Sequence, residues 1–180
     1  GCMNNEALNY NPDALWYGEP CDFVNYDILI NEVKGGNSAN NFVEVYNNDD
    51  ETVDISGYRL RDANCCNYGY DFYFPSGTSI EPGEYIVVHG ATTQYDNQGY
   101  QSFTWTGTGD MTNGSINAKL YEQHGEMIDS VATGSVNGNS WPYTVTGSRE
   151  LTNPNANNAL GANWCVFNAG TPGAQNSCYA

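Results

Sequence analysis

The chain has 180 residues and a mass of 19.7 kDa, with 21 Asp and Glu against five Lys and Arg, a net charge of −16 and a pI near 4.1. That length suits one compact domain with an appendage, and the charge excludes a surface built for phosphate backbones or anionic lipid heads while it attracts cations. Six Cys, 20 Gly and 14 Tyr describe a turn-rich, secreted β protein, and two His with no Cys-x-x-Cys argue against a zinc or thioredoxin-like use of the Cys.

The first segment, residues 1–24, differs from everything that follows. Cys2 and Cys21 bracket a polar, Asn- and Pro-broken stretch too poor in apolar residues for a core. A disulfide between them closes a short loop worth roughly 3 kcal/mol against the unfolded chain. This segment reads as a small disulfide-bracketed knot preceding a second unit over residues 25–180.

From Tyr26 the signals are short strands. "YDILINEV" is apolar and β-branched, "NFVEVYN" alternates, and "TVDISGYRLRD" breaks at Ser56-Gly57. "NNDDE", from Asn47 to Glu51, is a hairpin loop of residues that tolerate left-handed conformations and cap their own backbone. "YDFYFP" and "GEYIVVHG" flank "SGTSIEP", where Pro75 ends the incoming strand, Gly77 permits a positive φ and Pro82-Gly83 favours a second reversal. That segment is expected to cross between sheets. Residues 91–115, rich in Thr, Gly, Asn and Gln, read as a long ordered loop. "AKLYEQHGEMIDSVATG" supplies two strands, and "NWCVFNAGTPGAQNSC" a terminal strand followed by a clamp. About seven short strands with turns every eight to twelve residues predict an all-β, antiparallel sandwich. No stretch is apolar for long enough to span a bilayer as a helix, and a start at Gly1 without Met suits a processed protein released outside the cell or held at its surface.

The ordered series "ILINEV" (28–33), "FVEVYN" (42–47), "VDISGYRLRD" (53–62), "FPSGTSIEPGEYIVV" (74–88), "GEMIDSVATG" (125–134) and "TPGAQN" (171–176) resembles the lamin tail domain, as found in nuclear lamins and in secreted bacterial proteins. The resemblance implies an immunoglobulin-like antiparallel β-sandwich and structural roles for Glu32 and Glu44, which satisfy backbone groups or flank a sheet edge. Tyr58 stands where the family often carries Trp. The N-terminal "GC", "ALNYNPDA" and Cys21 are similar to a Gly-Cys/Ala-x-Asn-Tyr-x-Pro-x-Ala/Cys motif of secreted marine and gliding bacteria, sometimes compared with calcium-binding thrombospondin repeats. The acidic residues usual there are replaced by Met3-Asn4-Asn5 and Gly18-Glu19-Pro20, which weakens any carry-over of calcium binding.

No nucleophile, base and orienter assemble from the sequence, so no enzyme is expected. His89 closes a strand and His124 occupies a turn, as surface or capping residues. Calcium is the cofactor compatible with the charge, because oxygen ligands suit it. Asn9, Asn11, Asp13 and Glu19 form one candidate cluster and Asp49, Asp50 and Glu51 another. Phe72, Phe74 and Trp164 default to packing, whereas Trp105, in a polar loop, is expected to face solvent or a partner, with Tyr95 and Tyr100 near it. Once Cys2 pairs with Cys21, Cys65, Cys66, Cys165 and Cys178 remain. Joining Cys65 to Cys66 strains the intervening peptide, so Cys65 and Cys66 are expected to bond Cys165 and Cys178 in either order. Each bond then closes about a hundred residues, worth on the order of 4–5 kcal/mol. The function expected is a secreted, non-catalytic module for extracellular adhesion or self-assembly, as in a surface layer or fibre. The alternative is a carbohydrate-binding accessory module of a secreted hydrolase. Partners are a protein or copies of the chain, or an extracellular glycan, but neither nucleic acid nor the membrane interior.

Overall fold

The computed structural model describes residues 11–13, 27–35, 40–62, 71–105, 117–132, 141–142 and 147–179. Cys2, Cys21, Asn9 and Glu19 of the N-terminal segment lie outside the described residues, as do Cys65 and Cys66. The strands are β1 Ile28–Lys34, β2 Phe42–Asn47, β3 Val53–Asp54, β4 Arg59–Asp62, β5 Asp71–Tyr73 and β6 Ser79–Ile80, then β7 Tyr85–His89, β8 Gln101–Thr104, β9 Asn117–Tyr121, β10 Met127–Ala132, β11 Ser148–Leu151 and β12 Trp164–Phe167. One sheet runs β12-β11-β1-β2-β7-β8, a second β10-β9-β4-β5, and β3 pairs with β6. The result is an immunoglobulin-like β-sandwich.

Alternation explains the layering. In β2, Val43 and Val45 point into the core, and the opposed Val33, Ile30, Ile86 and Val88 of β1 and β7 join them at zero exposure. The second sheet answers with Leu60 opposite Leu120 and with Ala118 opposite Val131, all fully buried. The segment after β5 crosses between the sheets as its turn residues predict. Gly77 and Gly83 adopt φ of 82° and 74°, and Thr78 folds its hydroxyl onto the Pro75 carbonyl at 2.7 Å.

Twelve strands rather than seven occur among the described residues. The additions are two-residue pieces such as β3 and β6 and polar strands whose faces do not alternate in hydrophobicity. β8 lies inside the stretch expected to be a loop. It pairs parallel with β7, from Ile86↔Gln101 to His89↔Thr104, so the sandwich is not purely antiparallel. A parallel neighbour needs a crossover, and residues 90–100 provide it by folding back over the outer face of the six-stranded sheet. Trp105 follows β8, and its backbone N–H bonds the His89 carbonyl at 2.7 Å. The indole is only 2% exposed and packs near Phe72. It is therefore a core residue and not the solvent-facing aromatic expected from its polar neighbours.

The disulfide is also corrected. Cys165 bonds Cys178, with Cα atoms 6.4 Å apart, so neither is joined to Cys65 or Cys66. The chain turns back after β12 and lays its last residues over the face that Cys165 occupies, which brings Cys178 alongside. The covalent loop is short, and closing a loop of that size contributes roughly 3 kcal/mol in the chain-entropy account.

A bulge in β1 between Ile30 and Glu32 shapes the outer face. β11 pairs with β1 at Glu32 and Val33, and the Ile30 N–H is taken by Asp129 Oδ2 of β10 at 2.6 Å. Asn158 Nδ2 bonds the same carboxylate oxygen at 2.7 Å. Burial pushes Asp129 up to about 6, against the hydrogen bonds from Ile30, Asn158 and Ser130. Replacing Asp129 by Ala strands a buried backbone N–H, so chemical denaturation should register a loss of about 1–3 kcal/mol. A loss of only a few tenths would show that the bond is not used.

Candidate functional site

The outer face of the six-stranded sheet is not apolar. Glu150 of β11, Glu32 of β1 and Glu44 of β2 stand opposite one another in register, and all three are fully buried. Because β1 is bulged, Asn31 also serves this face. Its Nδ2 bonds Glu44 Oε1 at 2.8 Å and Asn176 Oδ1 at 3.0 Å.

The cover over this row is the C-terminal strap, residues 170–179. Its backbone N–H groups are bonded to the carboxylates one after another. Thr171 N–H lies 3.1 Å from both oxygens of Glu32, Gly173 N–H donates to Glu44 Oε2 at 2.6 Å, and Ser177 N–H donates to Glu150 Oε2 at 2.7 Å. Asn176 is buried beneath, donating to the Leu151 carbonyl at 2.8 Å. The Tyr179 hydroxyl reaches Asn31 Oδ1 at 3.0 Å. The close approach accounts for two glycines. A Cβ on Gly170 would meet Glu32 Oε1 at 2.7 Å, and one on Gly173 would overlap the Tyr100 ring, while both positions hold φ of 77°.

Burial makes Glu32 and Glu44 resist ionisation. Burial pushes Glu32 up to about 7, with the Glu150 charge adding to it and the bonds from Ser148 and Thr171 opposing it. Glu44 is raised well above the ordinary carboxylate range, first by burial and then by the charge of Glu32. A glycosidase pair needs carboxyls open to a sugar; here both are roofed by the strap. Glu32 and Glu44 satisfy backbone groups, the role that the resemblance implied.

Tyrosines flank the row. Tyr46 and Tyr85, opposite in the β2–β7 register, hold their rings 4.8 Å apart at 31°. With Tyr179, Gln175 and the turn Thr152–Asn155 they line a hollow of about 320 Å³. On the other side of Tyr85, Tyr100, Gln101, Glu84 and Gly173 line a second hollow of about 410 Å³. Burial pushes Tyr85 and Tyr100 up to about 12, so both rings stay neutral phenols.

The other predicted residues are dispersed. Tyr95 is buried in the crossover, edge-on to Phe42 at 5.2 Å, and its hydroxyl bonds the Asn40 carbonyl. His89 is not a surface residue: it has no exposure, donates from Nδ1 to the Gly90 carbonyl at 2.8 Å and places Nε2 3.1 Å from Asp96 Oδ1. Asp49 accepts the N–H of Asp50, while Asn47 accepts that of Asp49 and donates to the Glu51 carbonyl, the local capping of a turn. Asp49 also borders a cavity of about 380 Å³ shared with Asp27, Glu122 and Glu126. Asn11 caps Asp13 in a similar turn. Of the aromatic candidates only Tyr100 lines a hollow on this face; sequence reasoning missed Glu150, Asn31, Asn176 and the trough tyrosines Tyr46, Tyr85 and Tyr179. The one available signal was parity, since Phe42, Glu44 and Tyr46 share a face of β2.

The sequence model of the lamin tail domain matches residues 24–135, more than half of the chain. No curated protein matches it.

The buried row carries a pH dependence. A carboxyl raised from 4.5 to about 7 on folding stabilises fully below 4.5 and loses that contribution as pH rises through 7. For Glu32 the difference is on the order of 3 kcal/mol. Melting temperature should fall between those limits, and Glu32→Gln, which keeps an acceptor for Thr171, should flatten the profile. An unchanged slope in the variant would assign the dependence to other groups. Separately, Gly173→Ala should destabilise by about 1–3 kcal/mol, read from the denaturation midpoint.

Proposed function

The chain belongs to the lamin tail domain family, and from that membership we propose that it is a secreted, non-catalytic module for extracellular adhesion or self-assembly, stabilised by calcium. The family is an immunoglobulin-like domain that generally serves as a structural or interaction module. No helix among the described residues is long and apolar enough to cross a membrane.

The observation that carries the reading is β12. It ends the six-stranded sheet, pairs with β11 alone among the described residues, and runs Trp164, Cys165, Val166 and Phe167 with neither charge nor proline, Trp164 packing inward and Phe167 standing exposed. Thr152 N–H bonds the Asn163 carbonyl. The alternation of an antiparallel ladder therefore turns the backbone groups of Trp164 and Val166 away from β11; the Trp164 N–H is taken by the Gly161 carbonyl, which leaves the Trp164 carbonyl and both groups of Val166 facing outward. Phe167 and Leu160 add apolar side chains at 39% and 40% exposure. Such an edge is a template for strand addition by another copy. The Cys165–Cys178 bond supports residence in an oxidising compartment. Calcium is supported by the acidic surplus and by the four acidic residues Asp27, Asp49, Glu122 and Glu126 that line one cavity. The carbohydrate-binding alternative is favoured by one observation, the tyrosine trough.

Sedimentation velocity across a concentration series tests the edge. The protein should associate, and Phe167→Lys should hold it monomeric at little cost in stability, about 0.5 kcal/mol at an exposed site. A wild-type chain that stays monomeric throughout would overturn assembly through β12. Melting temperature should rise with free calcium by mass action, about 2.7 kcal/mol at a hundredfold excess over Kd. Coincident melts in calcium and in chelator would remove calcium from the reading.

A further inference from the structure

Tyr85 belongs to both hollows on the outer face. The two hollows adjoin at that ring, and together they make a trough with Tyr179 and Tyr46 in the first hollow and Tyr100 in the second. The opposite wall of the first hollow is the turn Thr152–Asn155 together with Gln175 of the strap. Each hollow falls within the range of about 300–1,000 Å³ usual for small-molecule sites.

The donors and acceptors on that wall are neutral. Asn153, Asn155 and Gln175 are exposed; the two Asn offer their amide N–H groups, and Gln175 an N–H and a carbonyl oxygen side by side. Asn155 is already steadied from below, since its Oδ1 accepts from Asn48 and its N–H donates to Asn153 Oδ1. Gln175 has no hydrogen-bond partner among the described residues, and its amide stands at the rim. Three half-buried phenol rings, Tyr46, Tyr85 and Tyr179, lining one hollow together with carboxamides match a molecule that is apolar on its C–H face and hydroxylated along its edge. The net charge of −16 opposes uronates and sulfated chains.

We propose that this trough binds a neutral oligosaccharide, one sugar ring in each hollow on either side of Tyr85, with vicinal hydroxyls on Asn153, Asn155 and Gln175. This deepens the interaction reading by naming a ligand class, and it does not depend on β12. An extended proline-rich peptide also lies on aromatic grooves, but its tertiary amides present carbonyl oxygens alone and leave the Gln175 carbonyl oxygen unmatched, those of Asn153 and Asn155 being already bonded within the chain. The hydroxyl edge of a sugar satisfies both halves of the Gln175 amide.

Titration calorimetry tests this with cellohexaose, laminarihexaose and maltohexaose in separate arms, and a proline-rich decapeptide in a fourth. At least one oligosaccharide should bind and the peptide should not. Tyr85→Ala should weaken binding about tenfold, the scale of one lost ring contact. Gln175→Ala, which removes no internal hydrogen bond, should weaken it severalfold with an unchanged melting curve. The Phe167→Lys monomer should bind as the parent does, which separates this result from the fate of assembly. The proposal is overturned if none of the three oligosaccharides binds the folded protein, if the peptide binds instead, or if affinity survives both Tyr85→Ala and Gln175→Ala.

Discussion

Three backbone N–H groups resting on three buried carboxylates organise this molecule. Glu150, Glu32 and Glu44 lie in one row because strand register puts them there. An apolar residue at any of the three positions would leave a strap N–H without its acceptor, and it is the strap that shuts water off from the carboxylates while replacing it with N–H donors. The strap and the row are therefore conditional on one another. Much of the rest follows from that dependence: the bulge that adds Asn31 to the face, the two glycines that let the chain pass close by, and the disulfide that closes the end.

The same constraint divides the sandwich into unlike halves. Its interior is an ordinary β-branched and leucine core made by alternation. Its outer face is polar yet almost as dry, sealed by the strap over β11, β1 and β2 and by the crossover that brings Tyr95 onto Phe42 and Val87. Two backbone segments roof one sheet, and the tyrosine trough lies where their cover ends.

The core half was legible in the sequence. Runs such as "ILINEV" and "YIVVHG" announce buried strands by composition, and the Gly77 and Pro82-Gly83 turns announce the crossing between sheets. The roofed half was less so. Glu150 is separated from Glu44 by 106 positions, and only the β11–β1–β2 register makes them neighbours. β8 is a polar strand at the sheet edge, with Gln101 and Thr104 exposed. That misleads a pattern reading about Trp105, whose burial is decided by the strand before it rather than by its neighbours in sequence. The cysteine reading failed for a related reason. Preferring long loops assumed that the terminal segment needed anchoring to a distant part of the chain, whereas hydrogen bonds to the carboxylate row already hold it and the bond needed only to fasten its end.

The Cys165–Cys178 bond also sets the route that mechanical load takes. Tension applied to the backbone beyond Cys178 passes through the sulfur bridge into β12 and from there into the β11 ladder. The segment from 166 to 177 is bypassed. The strap cannot be unzipped from its carboxylates one bond at a time from that end, because the covalent ring keeps it slack while the ladder bears the force.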